Sequence, residues 1–212
     1  MKPFYEDDSA TIHHGDCLDI KPTNQKPKLI LTDPPYATGK IQSRLGGESY
    51  EDKESAEEVS VKIETVCENW FGLGNPRTSW WANKHNHILT FTENETSGIF
   101  NEEHVPRTDR VAESKGYPSD KSVGSVWDYT FSNSDSERVK YPNQKPLKIL
   151  NPFVQVHSNI GDLVFDPFMG SGSTGVSACN HFRKFIGCDL KEEACEIAVR
   201  RFAEPVLPLY EG

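Results

Sequence analysis

The stretch DLVFDPFMGSGSTG, residues 162–175, constrains the fold more than any other. Leu163, Val164 and Phe165 form a short apolar run that ends at Asp166. Gly170, Gly172 and Gly175 follow as G-x-G-x-x-G, and SGSTGVSACNHF carries the chain on as a helix. Glycines between a strand and a helix permit a tight turn and let a ligand approach the backbone closely. KFIGCDL (184–190) then reads as a second strand. EEACEIAVRRF (192–202) reads as a helix with Cys195, Ala198, Val199 and Phe202 on one side. Strands alternating with helices predict an α/β fold with a mainly parallel sheet.

The remainder of the chain extends this pattern. ATIHHGD (10–16) is a short strand, and PKLILT (27–32) is a continuous apolar run, as in a strand buried on both faces. SAEEVSVKIETVCENWF (55–71) predicts a helix, with Ser55 and Glu58 as a capping box and Val59, Ile63, Val66, Cys67 and Trp70 as its stripe. HILTFT (87–92) and SVWDYTF (125–131) predict strands. KPLKILNPFVQVHS (145–158) predicts a helix with Pro146 near its first turn and a kink or restart at Pro152. There is no internal repeat, and 212 residues suit a single domain over 1–212. The polar stretches 37–54 and 93–124 are candidates for small, mobile recognition segments.

Several function classes are disfavoured. No apolar run approaches the ~20 residues of a membrane span, and the first residues lack a signal-type core, so a cytoplasmic protein is expected. Five widely spaced cysteines without a C-x-x-C read as reduced thiols. The triplet His85-Asn86-His87 leads into an apolar strand, and no metal site is expected there. The net charge of −9 lacks the basic footprint common in nucleic-acid binders, so any such contact must come from a local patch.

The glycine loop specifies a ligand type. Asp189 ends the next strand, where a carboxylate can accept hydrogen bonds from ribose hydroxyls, so an adenosine-type ligand is expected. Asp166-Pro167-Phe168 precedes the glycines, whereas a dinucleotide site places its first glycine at the strand end. A carboxylate there would repel a pyrophosphate. It suits a ligand carrying a sulfonium and an amino group, such as S-adenosylmethionine.

LTDPPY (31–36), then YPNQKPLKIL (141–150) and DPFMGSGST (166–174), resemble the DNA amino-methyltransferases in which the catalytic motif precedes the cofactor motif, often called the β class. The similarity covers residues 11–36 and 125–202. It implies a Rossmann-like methyltransferase fold in circularly permuted motif order. That fold has a seven-stranded, mostly parallel sheet with one antiparallel strand and helices on both faces. It further implies that Asp16, with Cys17 beside it, holds the cofactor's adenine, and that Asp189 holds the ribose. Gln144, Lys145 and Pro146 would close over the methionine end. Asp166, Phe168, Gly170, Ser171, Gly172 and Ser173 would lie nearest the ligand. Asp33, Pro34, Pro35 and Tyr36 match the catalytic tetrapeptide. The cofactor would be S-adenosylmethionine, the product S-adenosylhomocysteine, and no metal is involved.

The chemistry of the tetrapeptide can be argued directly. An exocyclic aromatic amine is a poor nucleophile because its lone pair is delocalised. The Asp33 carboxylate and the Pro34 carbonyl, accepting its hydrogens, would draw the nitrogen toward a tetrahedral shape and aim the lone pair at the methyl group. Pro34 and Pro35 stiffen the backbone that presents the carbonyl. Tyr36 offers a face for a base that has left the duplex. Asp at the first position favours adenine N6, with cytosine N4 or an RNA base as alternatives. A non-catalytic cofactor- or nucleic-acid-binding subunit is the reading from another class. The chain departs from the family at Tyr141-Pro142, where His-Pro is common, and at Met169, where a small residue is usual. Candidate DNA contacts are Lys40, Arg44, Arg107, Arg110 and Lys115. With so little recognition surface, a homodimer or a partner subunit is expected to contribute.

Overall fold

The computed structural model describes residues 2–20, 25–34, 61–69, 85–91, 98–108, 121–122, 126–129 and 136–203. Its main sheet contains β1 (Tyr5–Glu6), β2 (Ala10–His14), β3 (Leu29–Ile30), β9 (Leu163–Asp166) and β10 (Lys184–Asp189) in the order β1-β2-β10-β9-β3. β10 pairs in parallel with both β2 and β9, and β9 pairs in parallel with β3. Among the described strands of this sheet only β1 runs antiparallel, at the edge beside β2. A second sheet, β5-β4-β8, is formed by β4 (Val61–Asn69), β5 (His85–Phe91) and β8 (Val126–Tyr129). A two-residue pair joins β6 (Arg107–Thr108) to β7 (Lys121–Ser122). Among the described residues the main sheet has five strands.

β10 is central because four consecutive residues, Phe185 to Cys188, are buried while Lys184 is exposed. A run buried on both faces needs a strand neighbour on each side and cover above and below. Three helices supply cover: α1 (Leu147–His157), α2 (Ser173–Asn180) and α3 (Glu192–Ala203). α3 lies against β2 and β10, α2 against β10 and β9, and α1 against α2. The core joins Ala10, Ile12, Val164, Met169, Ala178, Phe185, Cys195 and Ala198. The Phe185 and Phe202 rings meet edge to face at 5.7 Å, a geometry the aromatic quadrupole favours. A smaller cluster seats Leu31 and Ile88 on Ile149 and Phe153, tying β5 and the end of β3 to α1.

Three local expectations change. Val61–Asn69, inside the expected 55–71 helix, is a strand with a register shift between Ile63 and Thr65. VKIETVCEN also alternates Val61, Ile63, Thr65 and Cys67, and β-branched residues suit a strand as soon as partners exist. Its partners β5 and β8 lie far along the chain. The PKLILT strand contracts to Leu29–Ile30, with Ile30 60% exposed, so it is not buried on both faces. Helix α1 runs through Pro152 without restarting. Proline there removes one bond to the carbonyl of residue 148, and Lys148 lies on the exposed side. The ends of α1 are held elsewhere. Glu137 accepts from the Leu147 amide at 3.0 Å. Asn101 Nδ2 donates to the carbonyls of Gln155 and Ser158, each at 3.0 Å.

Candidate active site

Parallel pairing brings four segments to one edge. β2, β3, β9 and β10 run the same way, so the chain leaving each of them emerges at their shared carboxyl end, where ligands bind in open α/β sheets. Backbone bonds tie the exits together: Gly15 N to Asp189 O at 3.0 Å, Met169 N to Cys188 O at 2.9 Å and Leu31 N to Phe165 O at 3.1 Å. Asp16, Asp33, Asp166 and Asp189 follow or end these four strands.

The glycine loop is shaped by its neighbours. Gly170 and Gly172 have φ of 52° and 76°, the left-handed region that favours glycine. The Gly170 amide donates to Asp189 Oδ2 at 2.9 Å, while Asp189 Oδ1 accepts from the Lys191 amide at 2.9 Å. A Cβ on Gly172 would fall 2.7 Å from Ala198 Cβ, so α3 approaches the loop only because glycine stands there. Arg201, buried on the same helix, donates from Nη1 to the Ser171 carbonyl at 2.8 Å, the Ser173 hydroxyl at 2.9 Å and the Ser171 hydroxyl at 3.2 Å. Burial pulls the Arg201 guanidinium down to about 10, opposed by the charge of Glu137. Both serine hydroxyls are thus engaged by α3. Sequence reading missed Arg201, although Ala194, Ala198 and Arg201 share one helical face, and an arginine on a core face signals a buried partner.

Tyr141, at the family departure, lies against the loop. A Cβ on Gly170 would sit 3.2 Å from the Tyr141 ring. Burial pushes its phenol up to about 12, with Asp189 and Glu193 adding repulsion. Met169, the second departure, is buried in the core beneath the loop. Phe168 is 40% exposed at the loop's outer side.

Asp166 connects two motifs. Its Oδ1 accepts from Thr32 Oγ1 at 2.7 Å, across 134 residues of sequence, and from the Phe168 amide at 3.1 Å. Burial pushes its carboxyl up to about 6; hydrogen bonds from Thr32, Thr174 and Phe168 oppose this, and Asp33 adds repulsion. Thr174 Oγ1 also donates to the Leu31 carbonyl at 3.4 Å. The end of β3, which leads into Asp33-Pro34, is therefore fastened to the glycine loop.

Asp33 forms an ion pair with Lys145, 112 residues away, and the Lys145 ammonium also donates to the Asn143 carbonyl at 3.4 Å. Gln144 staples the preceding segment, donating to the Glu137 carbonyl and accepting from the Val139 amide, both at 2.8 Å. Pro34 is exposed. Asp16 is exposed, and its carboxylate accepts from the Leu18 amide at 2.9 Å, capping the short turn Cys17–Asp19. Burial, followed by the neighbouring Asp16, raises the Cys17 thiol. Pro35, Tyr36, Lys40, Arg44, Arg110 and Lys115 lie outside the described residues, and Arg107 stands on β6 opposite Ser122. Among the described residues no group of three or more His, Cys, Asp or Glu could hold a metal ion, and no helix is long and apolar enough to cross a membrane.

Comparison with known proteins places this edge in context. The type II methyltransferase M2.MboI of Moraxella bovis is 25% identical over 256 residues, spanning 98% of this chain and 94% of that protein. The DNA adenine methyltransferase YhdJ of Escherichia coli (strain K12) is 38% identical over 86 residues, 40% of this chain and 29% of that protein. Two solved structures share the fold with a TM-score of 0.63. The M1.HpyAVI–SAM complex is 21% identical and covers 92% of this chain and 100% of its own. The cytosine-N4-specific PvuII DNA methyltransferase is 17% identical and covers 97% and 90%. The sequence pattern of the N6/N4 DNA methylases matches residues 69–200. The chain therefore belongs to the DNA methylase family that contains the N6-adenine and N4-cytosine methyltransferases.

Proposed function

We propose that the chain transfers a methyl group from S-adenosylmethionine to the N6 amino group of an adenine flipped out of DNA. The observation that carries this reading is the Thr32–Asp166 hydrogen bond, which fastens the LTDPPY segment to the glycine loop. Donor and acceptor halves of a transfer reaction then face one another at a single sheet edge. The adenosine end of the cofactor lies between Asp16 and Asp189, and the sulfonium lies toward Asp166. Asp33 and the Pro34 carbonyl accept the hydrogens of the target amine. The nitrogen lone pair attacks the methyl carbon as the carbon–sulfur bond breaks, leaving S-adenosylhomocysteine. Methylation makes the amine more acidic, so its proton leaves without a strong base. Pro35 and Tyr36 complete the acceptor site, with Tyr36 stacking on the base.

Adenine is preferred to cytosine for Asp33 as the leading acid, and YhdJ, named a DNA adenine methyltransferase, is consistent with it. Cytosine N4 is the second reading, favoured by the fold shared with the PvuII enzyme. The whole chain acts as one domain, with 37–54 and 93–124 as recognition segments and Lys40, Arg44, Arg107, Arg110 and Lys115 as candidate phosphate contacts. A second copy or a partner subunit enlarges this small surface. Expression in a methylation-free host, followed by base-modification sequencing and nucleoside mass spectrometry, tests the reading. N6-methyladenine is expected. N4-methylcytosine in its place would transfer the proposal to the second base, and neither base would refute both.

A further inference from the structure

Lys145 and Asp33 have separate duties under the proposed function, yet they are bonded to each other. Asp33 must present a carboxylate oxygen to the target amine. Lys145 stands on the segment expected over the methionine end of the cofactor, where its natural partner is the cofactor carboxylate. In this structure its ammonium is directed at the Asp33 carboxylate and the Asn143 carbonyl. Asn143 has φ of 56°, a left-handed turn residue that brings its own carbonyl back toward Lys145. The two side chains are 32% and 33% exposed, so a ligand carboxylate can reach the pair from solvent.

We infer that Lys145 is shared between Asp33 and the cofactor carboxylate, so that cofactor binding is what frees Asp33 to accept the target amine. This rests on the methyltransferase reading and adds to it a binding order, cofactor before base. The physical ground is competition for one ammonium. While Lys145 neutralises Asp33, the carboxylate is a weaker acceptor, and the cation repels a nitrogen that becomes positive as it is methylated. Once the cofactor carboxylate takes over the ammonium, Asp33 regains its full acceptor strength beside the methyl group. An empty site then disfavours a flipped base, and an occupied site favours it.

Competition makes a counter-intuitive prediction that needs no DNA. Removing the Asp33 charge should tighten binding of a ligand that carries the carboxylate, because Lys145 is no longer held. S-adenosylhomocysteine is the proper probe, since it has the carboxylate but no sulfonium for Asp33 to attract. By calorimetry, Asp33→Asn is expected to bind it about two- to fivefold more tightly than wild type, the range set by a partly exposed ion pair. Lys145→Met should bind it more weakly, and Asp33→Asn added to Lys145→Met should change nothing further. 5′-Deoxy-5′-methylthioadenosine, which lacks the carboxylate, should bind wild type and all variants alike, and this also reports an intact adenosine pocket. Unchanged or weaker S-adenosylhomocysteine binding by a folded Asp33→Asn overturns the inference while leaving the methyltransferase reading standing. Failure of the wild-type chain to bind S-adenosylhomocysteine or S-adenosylmethionine overturns both.

Discussion

Substituting Gly172 by alanine probes a close approach between the glycine loop and α3. Two costs arise at once. The backbone at φ 76° becomes strained by a side chain, at about 1–2 kcal/mol. The new Cβ would lie 2.7 Å from Ala198 Cβ and 3.2 Å from Ala198 Cα, and forcing a methyl into a packed contact costs about 1–3 kcal/mol. Gly172→Ala is therefore expected to destabilise the fold by about 2–5 kcal/mol, read as a lowered urea midpoint with unchanged slope. The second arm separates strain from clash. Ala198→Gly removes the 2.7 Å contact with Ala198 Cβ but leaves the 3.2 Å approach to the Cα and the backbone strain, and by itself costs about 1 kcal/mol of helix propensity. The double variant should be more stable than the sum of the single effects predicts, by about 1–3 kcal/mol, which is the part of the clash due to the Ala198 methyl. Strict additivity would refute the claim that α3 sits against the loop at this residue. A Gly172→Ala protein within about 0.5 kcal/mol of wild type would refute both components.

Asp33→Ala should lower methyl transfer from labelled cofactor by about 100-fold or more while cofactor binding is retained; equal activity would remove Asp33 from the chemistry. Arg201→Met leaves the buried Ser171 carbonyl without its 2.8 Å donor, a loss of about 1–3 kcal/mol from which relief of guanidinium burial subtracts. Denaturation should show that loss, and the cofactor KM should rise more than kcat falls, with Arg201→Lys recovering part. Asp166 has a carboxyl raised to about 6 in the folded chain from an ordinary 3.8. The folded state thus binds the extra proton between those values, and this group's contribution to stability falls as pH rises through the window. The stability of Asp166→Asn relative to wild type should accordingly increase from about pH 4 to about pH 6, by on the order of 2–3 kcal/mol. Under the proposed function, cofactor affinity should move the other way, weakening below about pH 6 as the Asp166 carboxylate is neutralised, and Asp166→Asn should abolish that dependence.

How much of this was legible in the chain depends on the distance over which each feature is encoded. The β9–α2–β10–α3 unit could be read residue by residue, because apolar runs, glycines and helical periodicity act over a few neighbours. The strand at Val61–Asn69 could not: its residues satisfy a helical and an alternating pattern alike, and the choice belongs to β5 and β8. Pro152 reads as a kink or a restart, and α1 continues through it without restarting, held at both ends by Glu137 and Asn101. Ile30 reads as core because it stands in an apolar run, and only the actual extent of β3 leaves it exposed.

The amino-acid sequence alone determined the α/β class, the glycine loop and the two motifs whose order marks the family. Tertiary structure decided how those motifs meet. Parallel register carries four strand ends to one edge, Thr32 reaches Asp166, Lys145 reaches Asp33, and Arg201 turns the loop serines toward α3. The reason is physical. Local periodicity and turn chemistry are properties of neighbouring residues. A hydrogen bond spanning 112 or 134 residues depends on how the sheet and helices close on their core, and no short stretch of the chain specifies that.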